Sequence, residues 1–218
     1  MGEKNKLLRV ICVRTGNKYN QWYEDNLKYM VDNYSGLEYN EFVCIKDDVY
    51  DDERGVFNKL LMFDYFKDGQ NIFFDLDIVI KGDCNHFLRK DFTVCHAHWR
   101  KPYHTPLNSS IVSWEGDASH VTEEFHKDPE YCLLYYRRGM DQYIYEKTEY
   151  KTYTVNDGYV SYQTELEETD APVYLFNQRY QELAKDDPWY NKYLLKSDNK
   201  PKFTQLSNRG YVKLNVSN

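Results

Sequence analysis

The run Ile72-Phe73-Phe74-Asp75-Leu76-Asp77-Ile78-Val79-Ile80 sets two carboxylates inside an otherwise unbroken apolar stretch. A strand buried on both faces reads as near-continuous hydrophobics, so packing alone gives no reason for the two aspartates. Burying a carboxylate without a partner costs several kcal/mol or forces it to neutralise. Side chains at i and i+2 of a strand project to the same side, so Asp75 and Asp77 are expected to converge while Leu76 points away. Converging carboxylates repel unless a cation lies between them. Magnesium or manganese, hard ions with oxygen ligands, would relieve that repulsion and commonly recruit substrate phosphates to complete their shell. In the competing arrangement one aspartate pairs with Lys59 or Arg14 and the other caps a turn. The metal role is favoured.

Other chemistries place aspartate after an apolar strand. A phosphatase of the haloacid dehalogenase type uses two at this spacing, but there the motif opens the chain and continues with Gly and Thr. Here about seventy residues precede it and Ile-Val follow. No G-x-x-x-x-G-K-[ST] loop and no G-x-G-x-x-G fingerprint occurs. His96 and His98, read as sharing one strand face, make a poor zinc site with two ligands alone.

The elements that position Asp75 and Asp77 are legible upstream. Residues 7–13 are β-rich and end at Thr15-Gly16-Asn17; residues 19–34 carry Trp22, Tyr23, Leu27, Met30 and Val31 at helical spacing. Residues 41–45 read as a strand, 57–66 as a helix stopped by Asp68-Gly69, and 71–80 as the most apolar strand. Strand, helix, strand, helix, strand indicates an α/β fold with a parallel sheet. The second half is less regular. Strands are expected at 92–98, 109–114, 159–163 and 173–176. Helices are expected at 121–138, interrupted at Asp128-Pro129, and at 140–147. One domain is expected over 1–185, with halves of about 1–90 and 91–185, followed by a polar tail over 186–218.

The net charge of −7 over 218 residues argues against broad binding to a nucleic-acid backbone. Five scattered cysteines without CxxC spacing fit a reducing, cytosolic setting, and no segment reaches the length of a membrane span. The 22 tyrosines supply contact area with a polar tip, suited to clefts. Trp99, Tyr103, His104 and Trp114 surround the Pro-containing stretch 101–107, which reads equally as an acceptor-side wall or as aromatic core.

In their order these segments resemble the type A fold glycosyltransferases, which carry Asp-x-Asp at the end of a central strand. Val13-Arg14-Thr15-Gly16-Asn17-Lys18-Tyr19 resembles the first strand and loop that hold the nucleotide. Phe57-Asn58-Lys59-Leu60 resembles the Lys-bearing helix start before the metal strand. Asn108-Ser109-Ser110 resembles the segment framing the sugar site, and Gly139-Met140-Asp141-Gln142 the Asp-Gln element facing the donor sugar. The blocks span roughly residues 7–180.

The resemblance implies a single-domain, Rossmann-like fold with a mostly parallel central sheet and an irregular acceptor-side half. It implies transfer from a nucleoside-diphosphate sugar, with a uridine diphosphate sugar as first choice, to a glycan or small acceptor. Manganese or magnesium would be held by Asp75 and Asp77, with Asn177 standing where relatives carry a histidine. Val13, Thr15, Tyr19, Lys59 and Asp75 would contact the donor nucleotide, and Asp141, Gln142 and Asn108 the reacting sugar. Asp141 also reads as a helix N-cap. The Asp-Gln element resembles retaining families more closely, although Met140 is inserted within it. A nucleotidyltransferase lacks its Gly- and Lys/Arg-rich opening loop here, and a non-catalytic sugar- or nucleotide-binding module is the alternative from another class.

Overall fold

The computed structural model describes residues 7–50, 55–176, 181, 183–197, 200, 202–206 and 212–215. In chain order the first elements are β1 (Leu8–Val13), α1 (Gln21–Tyr34), β2 (Glu41–Ile45), α2 (Leu61–Tyr65) and β3 (Gln70–Phe74). Next come β4 (Val79–Ile80), β5 (Thr93–His96), β6 (Leu107–Glu115), α3 (Glu123–Lys127), α4 (Pro129–Tyr135) and α5 (Met140–Lys147). The last are β7 (Lys151–Tyr153), β8 (Tyr159–Ser161), β9 (Val173–Leu175), α6 (Pro188–Tyr193), β10 (Lys202–Leu206) and β11 (Val212–Asn215). The chain packs as two compact units, each discontinuous in sequence. The first draws on 1–16, 38–75 and 86–157, the second on 17–37, 76–85 and 158–218.

The first unit is built on a six-stranded sheet in the order β2-β1-β3-β6-β5-β7. β1 runs parallel to both β2 and β3, with Val10 opposite Phe42 and Ile72. This is the parallel core expected from the alternating pattern. β6 enters antiparallel between β3 and β5, and β7 pairs parallel with β5. Apolar side chains of the sheet and of α2 to α5 form the core. Phe63 lies 4.9 Å from Trp114 between ring centroids, and Phe57 stacks on Phe125 at 5.5 Å. Trp114 is therefore core, not acceptor wall.

The second unit carries α1, capped by Asn20, whose side chain accepts from the Trp22 amide at 3.1 Å. Its small sheet runs β4-β9-β8, with β4 antiparallel and β8 parallel to β9. The stretch read as a polar tail from 186 contributes α6, which buries Tyr190 and Tyr193. Just after it the Leu195 amide donates to Asn26 Oδ1 on α1 at 2.7 Å. β10 and β11 pair antiparallel.

The structure corrects the sequence reading in several places. The strand expected over 71–80 is two strands: β3 stops at Phe74, Leu76 and Asp77 lie in a turn, and β4 joins the other sheet. The i, i+2 rule therefore does not apply to Asp75 and Asp77. The strand expected over 92–98 ends at His96, so His96 and His98 do not share a strand face. β7 was not expected, being too short to show a period. None of the five cysteines is in a disulfide. Among the described residues no helix is long and apolar enough to cross a membrane.

Candidate functional site

Asp75 is the first residue beyond β3. Its amide donates to the Ser110 carbonyl at 2.9 Å, and its Oδ2 accepts from Ser110 Oγ at 2.9 Å. Its Oδ1 forms an ion pair with Lys59 Nζ, the two side chains being 20% and 15% exposed. Lys59 stands on a 3₁₀ turn over Phe57–Leu60 whose Phe57, Asn58 and Leu60 are buried. Asn58 fixes that turn, its Oδ1 accepting from the Val49 and Tyr50 amides at 3.0 and 2.9 Å. The ammonium also lies 5.2 Å from the Phe73 ring centroid. Half of the competing arrangement thus holds, because Lys59 does neutralise Asp75.

Asp141 is placed by a glycine. Gly139, at φ +78°, turns the chain into α5, and a Cβ there would meet Val56 Cγ2 at 2.7 Å. Gly139 itself is the N-cap residue, so Asp141 does not cap the helix. Its Oδ1 accepts from the Ser109 amide at 2.9 Å and its Oδ2 from Arg100 Nη2 at 2.8 Å. The Ser109 amide is available because β6 breaks register with β5. Val94 faces Val112 but Cys95 faces Asn108, which leaves residues 109–111 out of that ladder.

One stretch at the start of β6 therefore gathers Asp75, Lys59 and Asp141. Asn108 adjoins them, its Oδ1 accepting the Ser110 amide at 3.0 Å. Gln142 faces elsewhere: its Oε1 accepts from the Arg138 amide at 3.2 Å, and its Nε2 donates to Glu146 at 2.8 Å. At the end of β1, Val13 pairs with Ile45, and the buried Thr15 sends its hydroxyl 3.5 Å from the Gly55 carbonyl. Asn177 lies outside the described residues.

Asp77 belongs to the second unit, where it is 5% exposed. Tyr19 donates to its Oδ2 at 2.6 Å, and Gln181 Nε2 donates to its carbonyl at 3.3 Å. Tyr23 donates to Gln181 Oε1 at 3.3 Å. Burial pushes the Tyr23 and Tyr190 phenols up, and the charge of Asp77 adds to that shift in both. Tyr19, expected near the nucleotide, is thus a partner of Asp77.

Among the described residues no group of three or more His, Cys, Asp or Glu gathers to hold a metal. Asp75 alone still offers a carboxylate of the kind that magnesium or manganese accepts, since these ions often take only one or two carboxylates and leave the rest to phosphate and water. On those terms the residues present fit a hard divalent ion.

A cavity of about 510 Å³ in the first unit is walled in part by Arg100, Lys101, Tyr103, Arg138 and Gln142. The stretch 101–107, which reads equally as acceptor-side wall or aromatic core, supplies Lys101, Tyr103 and His104 to the lining. Sequence reasoning missed Arg100, which sits in a loop without periodicity. It also missed the Ser109 amide, because a backbone donor leaves no trace in residue type.

No protein-family model matches the chain, and no curated protein sequence matches it. Solved structures do. The crystal structure of a glycosyltransferase involved in the glycosylation of the major capsid of PBCV-1 aligns with a TM-score of 0.58 at 11% identity, over 77% of this chain and 91% of that one. The apo-form glycosyltransferase GlyE of Streptococcus pneumoniae TIGR4 aligns with a TM-score of 0.57 at 11% identity, over 88% of this chain. A second GlyE structure gives 0.54 at 10% identity, again over 88% of this chain. This chain spans 61% and 62% of those two GlyE chains. At such identities the likeness is one of fold. The chain has the α/β, Rossmann-like type A fold of solved glycosyltransferases, with a mostly parallel central sheet.

Proposed function

We propose that this chain transfers a sugar from a nucleoside-diphosphate sugar, a uridine diphosphate sugar as first choice, to a glycan or other acceptor with the help of a divalent metal. The observation carrying this reading is the start of β6. There Ser110 holds Asp75 and the Ser109 amide holds Asp141, while Lys59 and Arg100 supply one cation to each carboxylate. Lys59, Asp75, Arg100 and Asp141, from four segments, meet at the start of β6 in a fold shared with glycosyltransferases.

Magnesium or manganese, when bound, supplies Lewis-acid stabilisation of a leaving diphosphate. Asp75 and Asp77 are the residues proposed to hold it, with Asn177 as a third. Lys59 offers the phosphates a compact positive charge. Asp141 is proposed to accept from sugar hydroxyls and to stabilise positive charge developing at the anomeric carbon. Each of its oxygens accepts one bond already and retains a second lone pair, so a sugar hydroxyl need displace neither Arg100 nor Ser109. Asn108 has its carbonyl engaged and presents its amide nitrogen as donor. Gln142 is proposed as a further sugar contact, and Val13, Thr15 and Tyr19 as the nucleoside side. Retention of configuration is proposed on the resemblance of the Asp-Gln element to retaining families. The catalytic domain is proposed to span 1–185, with sugar and acceptor served by its second half.

Thermal unfolding with a panel of nucleoside diphosphates, with and without manganese, tests the reading. One nucleotide should raise Tm only with manganese, by mass action on the native state. Slow hydrolysis of the matching labelled nucleotide sugar should accompany that shift. No shift with any nucleotide overturns the donor site; a shift without hydrolysis or transfer makes the protein a binding module.

A further inference from the structure

We infer that the cavity beside Asp141 takes an acceptor saccharide carrying a negative charge, a phosphate or a carboxylate. The inference rests on the transferase reading for the word acceptor and on the cavity itself for the charge. The chain as a whole carries −7, so its overall field disfavours anions. This cavity is the reverse, with Arg100, Lys101 and Arg138 in its walls and Glu146 as the one carboxylate among its described lining residues.

The state of each charge strengthens the case. Arg100 is answered by Asp141, and through that pair the cavity reaches the proposed sugar site. Arg138 donates at 2.8 Å to the Tyr103 carbonyl, a neutral acceptor that leaves its charge available. Lys101 lies 5.9 Å from the Tyr103 ring centroid. Glu146 receives the Gln142 amide. An arginine fork and an ammonium around one cavity suit the oxygens of a phosphate or carboxylate. His96, His98 and His104 also line it and add ring nitrogens able to bond sugar oxygens.

The remaining wall suits the sugar ring. Tyr103 is 64% exposed, and its ring tilts against His104 at 4.8 Å between centroids. Tyr145 also lines the cavity and is exposed. Aromatic faces that meet solvent offer apolar contact to the C–H face of a saccharide. The volume of about 510 Å³ falls among those of small-molecule sites. Lys59 and Asp75 are not among the lining residues, so the cavity is separate from the groups assigned to the donor diphosphate.

Calorimetric titration of the full chain, without donor, with glucose 6-phosphate, glucuronate and glucose tests the inference. At least one anionic sugar should bind about tenfold more tightly than glucose, the worth of one charge-assisted bond. The better of the two tells phosphate from carboxylate. Lys101→Gln and Arg138→Gln should each reduce that preference, and Glu146→Gln should increase it, with unchanged melting showing that each variant folds. Equal affinity for charged and neutral sugars, a preference unmoved by these substitutions, or competition by uridine diphosphate overturns the proposal. Failure of the transferase reading looks different: the manganese-dependent nucleotide shift is absent while the charge preference persists.

Discussion

Asp75 and Asp141 are both held by the first residues of β6, yet the cation beside each is of a different kind. Asp141 faces Arg100, whose guanidinium also donates to the carbonyls of Thr105, at 3.3 Å, and Leu107. Three acceptors from three places fix that planar group, and the Ser109 amide fixes the other carboxylate oxygen. Asp75 faces Lys59, a point charge on a flexible stem, and a serine hydroxyl that can rotate. The contrast separates a carboxylate locked in orientation from one able to exchange its cation. That is the division of labour expected if Asp141 meets a sugar and Asp75 meets a metal with its phosphates.

The largest expected effects come from removing the carboxylates. Asp75→Ala and Asp77→Ala should each lower the transfer rate by about 10³-fold and abolish the manganese-dependent nucleotide shift in Tm. Asp141→Ala should lower the rate by about 10²-fold or more while leaving that shift in place. If Asp141→Ala also erased the nucleotide shift, the two carboxylates would serve one task and the contrast would fail.

Exchanging the cations sharpens the comparison at smaller cost. Arg100→Lys keeps the charge but cannot bridge three acceptors. It should lower kcat about tenfold and destabilise the fold by about 1–3 kcal/mol through the carbonyls left without a donor. Lys59→Met should have the opposite sign in one assay. With its competitor gone, manganese should bind the nucleotide-free protein more tightly, as read by paramagnetic resonance of free manganese. Nucleoside diphosphate should bind that variant more weakly. Parallel losses in both variants would mean that Lys59 is as structural as Arg100.

Gly139→Ala probes the locked carboxylate from behind. The residue combines φ +78° with a Cβ position 2.7 Å from Val56 Cγ2, so alanine meets both backbone strain and a clash. A loss of about 1–3 kcal/mol in chemical denaturation is expected. Adding Val56→Ala should recover the steric part and leave the strain. Full recovery would place the whole cost in packing.

How far the sequence revealed this molecule depends on what each feature leaves behind in residue type. The parallel core of β1, β2 and β3 was legible because alternating apolar runs and turn residues mark it. Asp75 drew notice as a carboxylate inside an apolar run, while Lys59 and Asp141 drew it only through the blocks that carry the resemblance. The break after Phe74 was hidden. Val79 and Ile80 are as buried in the second unit's sheet as Ile72 and Phe73 are in the first, and hydrophobicity does not record which sheet does the burying. Arg100 and the pairing of Tyr19 with Asp77 depend on loops that no period describes. α6 did announce itself, through Pro188 at the helix start and buried Tyr190 and Tyr193 at i and i+3, but the polar residues around it masked the signal.

The smallest expected effect comes from a third cation–carboxylate pair in the first unit, and it serves as a control. Arg89 Nη2 donates to Asp157 Oδ1 at 2.6 Å, while Asp157 Oδ2 accepts from the Thr154 amide and hydroxyl at 2.7 and 3.0 Å. Burial opposes ionisation of Asp157, but the Thr154 bonds and the charge of Arg89 outweigh it and hold the carboxyl below its ordinary value. A folded-state pKa below the unfolded one gives stability that is present above the unfolded value, about 3.9, and lost as pH falls through the folded value. Arg89 is 42% exposed, so solvent screening limits the contribution to about 0.5–1 kcal/mol. Asp157→Asn should therefore melt slightly below the parent at neutral pH, and the gap should close in acid over that window. Its transfer rate should be unchanged, because the side-chain hydrogen-bond partners of this pair among the described residues, Thr154 and each other, are not at the start of β6. A drop in rate as large as that of Arg100→Lys would show that any ion pair in this unit supports turnover, and the special standing of the Asp75 and Asp141 pairs would be lost.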